Sequence, residues 1–485
     1  MKIRSIKANA ILNIIYTVTN LLFPLITYPY VARILSADGI GRVNFFTAAS
    51  NYAVMFAALG VSTYGVRAVA KVRDNKKELS DTLTELLLIN LIATLCVLVV
   101  YAVISLFVPQ FNRDPALCVV NAATIAATPW GMNWLYSGLE QYGYITKRTI
   151  VFKLVSLVLI FALIHDRNDY IVYAIILAFA SVGSYICNFL YARKLVGFSK
   201  LRGLNLQQHI SPMLVLFASS LAISVYTNLD TVMLGIMQND REVGLYTTAV
   251  KVKSILLAVV NAISTVLLPR LSYYVSRGDK KEYNESMKKS MGVIFLITFP
   301  LTIFFIENAL DTVLVLGGND YVDSTLCMKV LMPILIISGF SNIIGNQVLI
   351  PLGKDKYFMQ AVVCGALADF ILNFILIPRY GCVGAAVATL FAEALQMSIQ
   401  FFHGKNIILR NFNSKSLAHT VLSTCIAAVC IALASNLVGI TMSNPLVRVI
   451  VNAVLYFSIY LVILLLIKDE YAIELVTDLK NRKKL

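Results

Sequence analysis

Residues 86–108 read LLLINLIATLCVLVVYAVISLFV, a stretch without one charged side chain. A helix that crosses the ~30 Å hydrocarbon core of a bilayer needs about 20 mostly apolar residues, and this stretch supplies them without interruption. A helix of a soluble protein carries a polar stripe for water, which this stretch lacks. Outward from it the same pattern recurs. Apolar stretches lie at 9–32 and 43–64 before it, then at 116–136, 145–164, 170–191, 212–236, 243–268, 290–307, 328–350, 357–377, 383–402, 417–438 and 447–467. With 86–108 these predict an all-α integral membrane protein of about fourteen transmembrane helices. The composition agrees, with 58% hydrophobic and 14% charged residues among 485 and a mean hydropathy of +0.77, values far from those of a soluble domain.

The loops are short. The longest inner connections, near 192–211, 271–289 and 403–416, leave no room for a soluble catalytic domain. The chain reads as one membrane domain, and its function must be performed within the helix bundle or at its mouths.

The formal net charge of +15 raises nucleic-acid binding as a partner class, and the distribution of charge excludes it. With the N-terminus inside, and charges at span ends counted with the adjoining loop, the inner segments hold 30 Lys/Arg against 13 Asp/Glu. The outer loops hold 8 against 10, and the span interiors 3 against 3. A basic excess confined to one face is the positive-inside pattern, which sets orientation. Both termini are therefore expected in the cytoplasm. The basic start MKIRSIKANA precedes an apolar stretch longer than that of a signal peptide and reads as an uncleaved first helix. The eight cysteines are scattered, without CxxC spacing or neighbouring histidines, so neither a metal site nor a disulfide framework is expected.

A weak internal repeat is visible. Ser62–Thr63 with Arg67 recurs as Ser264–Thr265 with Arg270, Asp38 has a counterpart in Asp240, and Asn133 with Tyr144 matches Asn346 with Tyr357. Six spans separate the members of each pair, so the halves share one membrane orientation. The expected organisation is two pseudo-symmetric six-helix lobes, 1–208 and 209–404, followed by two further helices and a basic tail over 405–485. Parallel repeats around a cleft suit a transporter that rocks its lobes.

Ionisable side chains within spans cost about 2.5–3.5 kcal/mol each on insertion scales and so face a cavity or a partner. Here they are Lys153, Asp230, Lys251, Lys253, Asp369 and Glu393. Asp230 and Lys251 fall at similar depths on either side of the outer turn at Asp240. They suit either a structural ion pair or a group that titrates or binds a coupling cation, H+ or Na+; Asp369 and Glu393 carry the same two readings. Lys153, Lys251 and Lys253, together with Arg33 near the outer end of the first span, would make a cavity cationic. Arg67 and Arg270 would form a basic entrance at the inner mouth, or else serve only as topology anchors near anionic lipid. A cationic cavity suits a polyanionic head group such as a diphosphate.

Several stretches resemble one known family. They are LITYPYVARIL at 25–35, SADGIGRVNFFTAASNY at 36–52, GVSTYGVRAVAKVRDNKKELS at 60–80 and WLYSGLEQ at 134–141. In the second half LDTVMLGIMQNDREVGLYTTAV, with Asp230, Gly235, Gly244 and Tyr246, and LLPRLS at 267–272 continue the likeness. The chain resembles the bacterial polysaccharide flippases that translocate O-antigen or capsule repeat units, within the multidrug/oligosaccharidyl-lipid/polysaccharide exporter superfamily. The resemblance implies a MATE-like pair of six-helix lobes around a central cavity. It also implies a polyprenyl-diphosphate-linked oligosaccharide as substrate, turnover driven or assisted by an ion, and no enzymatic step. Membrane lipid, and polysaccharide polymerase or assembly proteins, are the expected partners. Ser137 departs from the family pattern, which often has glutamine there. Two other readings stay open: a cation-coupled multidrug exporter of the same superfamily, and a membrane polysaccharide polymerase or ligase. The latter needs a substantial outer loop, and the outer loops here are short.

Overall fold

The computed structural model describes residues 6–200, 203–441, 443–474 and 477. The first residues of the basic N-terminal stretch and most of the basic tail, 478–485, lie outside the described residues. Among the described residues the regular elements are all helical. The chain divides into two compact units, Met1–Gly244 and Leu245–Leu485.

The first unit holds α1 (Ile6–Ala58), α2 (Val61–Val72), α3 (Lys76–Phe107), α4 (Pro109–Asn112), α5 (Pro115–Ala126), α6 (Asn133–Gly138), α7 (Tyr142–Leu163), α8 (Tyr170–Leu195), α9 (Gln207–Met237) and the start of α10 (Asp240–Arg277). Polar residues in the loops start these helices. Asn75 accepts from the amides of Lys77 and Glu78 at the head of α3, and Asp114 accepts from that of Leu117 before Pro115 opens α5. Within α1 the backbone breaks at Ser36, where φ is 60° and ψ 176°, between the first two expected spans. The fourth expected span is also broken: α5 stops at Ala126, a 3-10 turn over Thr128–Trp130 carries Pro129, and α6 resumes at Asn133. Proline removes a backbone donor and clashes with the preceding turn, which accounts for the interruption. Helix α2 is amphipathic, with Val61, Gly65, Ala68 and Val69 buried while Arg67 and Lys71 are exposed. Its Gly65 lets the Trp134 indole of α6 lie directly on the backbone.

The second unit continues α10 and adds α11 (Lys280–Glu307), α12 (Ala309–Gly317), α13 (Ser324–Leu331), α14 (Ile334–Asn342), α15 (Asp355–Asn411), α16 (Ser414–Thr441) and α17 (Pro445–Leu466). Its fourth span is broken as well, at Pro333, and ends in a π-helical segment over Ile343–Leu349. Helix α15 is a hairpin. At Gly381 the backbone takes φ 53° and ψ −132°, and Gly384 then approaches the Leu376 carbonyl at 2.5 Å from its ideal Cβ position. Gly365 on the first arm likewise sits 3.3 Å from the carbonyl of Ala392 on the second. The two C-terminal helices pack on each other and α16 packs on α11, around a buried cluster with Phe304, Ile431, Tyr456 and Leu464.

Among the described residues nine helices are long and apolar enough to cross a membrane. The number is smaller than the count of apolar stretches for several reasons. Helices α1 and α15 each carry two stretches as one element, the proline-broken fourth span of the first unit contributes only short pieces, α7 carries Lys147, Arg148 and Lys153, and of α9 only Asn228–Met237 counts, as a shorter apolar helix. Outward-facing side chains such as Leu95, Val99, Leu106 and Phe107 on α3 are exposed, as a lipid-facing surface requires.

Candidate functional site

In the first unit a polar cluster forms where the broken fourth span meets α7 and α8. Arg148 is 8% exposed and its guanidinium donates to Asn133 Oδ1 at 2.9 Å and to Asn188 Oδ1. Asn188 Nδ2 donates to the same Asn133 oxygen at 3.2 Å. The guanidinium carbon also lies 5.6 Å from the centroid of the Tyr144 ring, which stacks on Tyr191 at 4.4 Å and lies 4.7 Å from Tyr136. Among the described residues the recorded partners of Arg148 are neutral, so the cluster holds a buried positive charge on amide oxygens and aromatic faces. Farther along α7, Lys153 is half-buried with its ammonium 5.0 Å from the centre of the Phe23 ring of α1. Arg33 and Arg67 are exposed, on α1 and α2, and Asp230 is buried on α9. A polar cavity of about 110 Å³ opens between α1, α5 and α8, lined by Thr47, Ser50, Asn51, Asn121, Thr124 and Ser181 among others.

At the other end of this unit two of the motif stretches meet. Arg42 Nε donates to Asp240 Oδ2 at 2.9 Å, with Asp114 Oδ2 at 3.8 Å and the Tyr170 hydroxyl at 3.4 Å from the same side chain. Gly41 abuts the Asp240 carbonyl, and Gly244 abuts that of Ala37, so closely that a Cβ at either position collides with backbone. The stretches SADGIGR and NDREVG are thus two faces of one contact.

In the second unit Asp369 and Asn373, one turn apart on the first arm of α15, are fully buried. Thr389 and Glu393, one turn apart on the second arm, are also buried. The Thr389 hydroxyl is 3.1 Å from that of Tyr246, and Ser338 donates to Glu393 Oε2 at 2.9 Å. Lys251 and Lys253 are half-buried on α10. Arg270 is exposed and its Nε donates to the Tyr274 hydroxyl at 2.8 Å. Beside the π-helical segment runs a set of buried amides: Gln347 accepts from the Ser290 hydroxyl at 2.6 Å and donates to Ser264 at 3.3 Å, and Gln400 accepts from Ser341 at 2.8 Å. π-Helical turns are frequent at functional sites. Among the described residues no group of three or more His, Cys, Asp or Glu forms a metal cluster.

Sequence reasoning passed over Arg148 and the amide set. Arg148 sits at the edge of its span and counts with the inner loop's basic residues, while Asn and Gln carry no charge to attract notice.

The model of the family described as polysaccharide biosynthesis protein matches residues 6–275, more than half of the chain. The chain belongs to this polysaccharide biosynthesis protein family. A second model, MatE, matches residues 216–375. The chain is 22% identical over 404 residues to a protein of Escherichia coli strain K12 named "Putative O-antigen transporter", covering 83% of this chain and 97% of that relative. Its fold is similar to that of a solved structure of the lipid II flippase MurJ in an inward closed conformation. The TM-score is 0.74 at 14% identity, over 94% of this chain and 98% of that one. It is also similar to an inward-facing multidrug resistance MATE family transporter, with a TM-score of 0.64 at 13% identity over 80% and 94% of the two chains. The all-helical MATE-like transporter fold expected from the sequence is the one this polysaccharide biosynthesis protein adopts.

Proposed function

We propose that the chain moves oligosaccharide units linked to polyprenyl diphosphate from the cytoplasmic to the outer leaflet of a bacterial plasma membrane, for assembly of a surface polysaccharide. One observation carries the reading: the alignment with a named O-antigen transporter spans nearly the whole of that relative. The buried and half-buried cations support it. Arg148 and Lys153 in the first unit, and Lys251 and Lys253 in the second, place positive charge within membrane-spanning helices. A diphosphate offers such groups the charge-assisted hydrogen bonds that water gave it outside. Arg33, Arg67 and Arg270, exposed on their helices, would extend that field towards the mouths.

The glycan cannot cross the hydrocarbon unaided, because each bare hydroxyl costs several kcal/mol there. The polyprenyl tail stays in membrane lipid throughout. No covalent bond changes in this movement, so the reading assigns a transporter rather than an enzyme. The basic excess of the inner loops supports a cytoplasmic location for both termini. Asp230, Asp369 and Glu393 are the acidic residues within spans that would take a coupling H+ or Na+, and all three are buried. Polymerase or assembly proteins would receive the product at the outer leaflet.

The test is complementation of a host whose own repeat-unit flippase is deleted, with surface glycan and inner-leaflet intermediate both scored. Restored glycan with the intermediate cleared supports the reading. Accumulated intermediate despite good expression, repeated with the chain's native glycan genes, removes it. The MatE match over 216–375 favours a second reading, a cation-coupled drug exporter, which would raise drug tolerance in the same host and leave the glycan unchanged.

A further inference from the structure

The loop that leads into α9 is pinned to α3. The Ser199 amide donates to Thr84 Oγ1 at 2.9 Å, and the hydroxyls of Ser199 and Ser80 meet at 3.0 Å. The Asn205 amide donates to Glu85 Oε1 at 2.7 Å, and Gln208 Nε2 donates to Oε2 at 3.1 Å. The other nitrogen-bearing partner of that carboxylate is His209, whose Nε2 lies 2.7 Å from Oε2. His209 Nδ1 is in turn 2.8 Å from the Tyr64 hydroxyl of α2. Glu85 is 4% and His209 5% exposed. None of the three residues belongs to the cationic or acidic sets above.

We infer that Glu85, His209 and Tyr64 form a proton-binding site that controls how firmly the head of α9 is held to α3. The reading does not rest on the translocated substrate, because the ligand is the proton itself.

The argument lies in the hydrogen-bond inventory. An ionised carboxylate only accepts, so the imidazole Nε2 must carry hydrogen towards Glu85. The Nδ1 side faces a hydroxyl, which both donates and accepts. With His209 neutral, Tyr64 donates to Nδ1; with His209 protonated, Nδ1–H donates to the Tyr64 oxygen. One proton from solution can therefore enter or leave while both bonds of the ring persist, by rotation of a single hydroxyl. In the neutral-ring state the buried group holds the net charge of the carboxylate. In the protonated state it holds an ion pair of net charge zero.

The surroundings contribute little else that titrates. From α3 the facing group is Glu85, from α2 Tyr64, and from α9 itself the neutral Gln208. Helix α1 packs on α9 through Phe56 against Phe217, and Gly60 before α2 lies near Met213, none of them titratable. Among the described residues the ion pair of His209 is with Glu85 alone. Loss of the proton replaces an ion pair by a hydrogen bond from a neutral imidazole to a carboxylate whose charge is then unbalanced, at the point where α9 begins, and the helix head loosens.

The experiment is backbone hydrogen exchange of the full-length protein in lipid nanodiscs, followed over the peptide 205–213 and corrected for the intrinsic pH dependence of exchange. Protection of that peptide is expected to fall several-fold between about pH 6 and about pH 8. The step should vanish in His209→Gln. Tyr64→Phe keeps the Glu85–His209 pair but removes the partner of Nδ1, and should move the midpoint. In parallel, the ring-nitrogen NMR signal of His209, assigned among the four histidines by its loss in the His209→Gln variant, should change protonation state over the same range. A flat wild-type profile, a step that survives in His209→Gln, an unmoved midpoint in Tyr64→Phe, or a ring that stays in one state throughout would each overturn the inference. None of these outcomes depends on glycan translocation.

Discussion

Arg148 shows how a single side chain organises the first unit. Its forked guanidinium reaches two amide oxygens on separate elements, Asn133 at the head of α6 and Asn188 on α8, while the Tyr144 face takes part of its charge. Arg148→Ala would leave buried amide oxygens short of a donor, at a cost of about 1–3 kcal/mol. Thermal unfolding in detergent should show a clear drop in Tm. Arg148→Lys retains the charge but has no planar fork, so it should recover only part of the loss; full recovery would mean that charge alone matters at this site. The acids were easier to find from sequence than this arginine. Asp230, Asp369 and Glu393 interrupt apolar stretches, and the cost of insertion marks them at once. Arg148, Glu85 and His209 stand at span edges, where polar residues are ordinary, and only side-chain geometry separates them from the neighbouring loop residues. Asp369→Asn tests the acidic group in its proposed role. Glycan transfer should fall at least tenfold and lose its dependence on the coupling cation, while the protein still folds, as read by an unchanged elution profile in detergent; normal cation-dependent transfer would leave Asp369 a packing residue.

At the scale of elements, one backbone reversal and one close contact decide how the helices run, and the sequence announces them unequally. The reversal inside α15 was legible as Pro378-Arg-Tyr-Gly381 between two apolar stretches. Gly381 adopts a backbone conformation that an L side chain rarely takes. Gly381→Ala should therefore destabilise the second unit by about 1–3 kcal/mol, measured as a lower Tm, with the arms of α15 still paired. The contact between SADGIGR and NDREVG was not legible, because no local pattern says that residues about two hundred positions apart will touch. Both stretches resemble family motifs, and their sequences alone do not pair them. That packing explains why small residues stand there: a side chain at Gly41 or Gly244 meets backbone rather than a movable neighbour. Gly244→Val should force α1 and α10 apart and disrupt the Arg42–Asp240 pair. Thermal unfolding in detergent should show a lower Tm for that variant than for the wild type; an unchanged Tm would argue against the close approach. By contrast, Arg42→Ala removes a partly exposed ion pair and should cost at most about 1 kcal/mol.

For the whole molecule, charge and hydropathy act together. The apolar stretches specify where the chain can cross, and the asymmetry of Lys and Arg specifies which way. The two kinds of information are independent, since reversing every loop's charge would leave each span as hydrophobic as before. The fold class was therefore readable from periodicity and composition, whereas the number of separate helices was not. Whether two adjoining stretches form one kinked element, as in α1, or a span breaks at a proline, as after α5, depends on backbone angles that hydropathy does not encode. Orientation admits a direct test. The loop after Gly318 is acidic, with Asp320 and Asp323, and the loop after Asn411 is basic at Lys415, with Lys405 and Arg410 just before it. If the basic excess sets orientation, alkaline phosphatase fused after Gly318 should be active outside the membrane, and a fluorescent protein fused after Asn411 should fluoresce inside. The opposite pattern would place the basic face outside, and the diphosphate would then meet Arg67 and Arg270 on leaving rather than on entering. The expected pattern would put those exposed arginines on the cytoplasmic side, so that the same residues that orient the chain would also stand where the proposed anionic substrate first meets it.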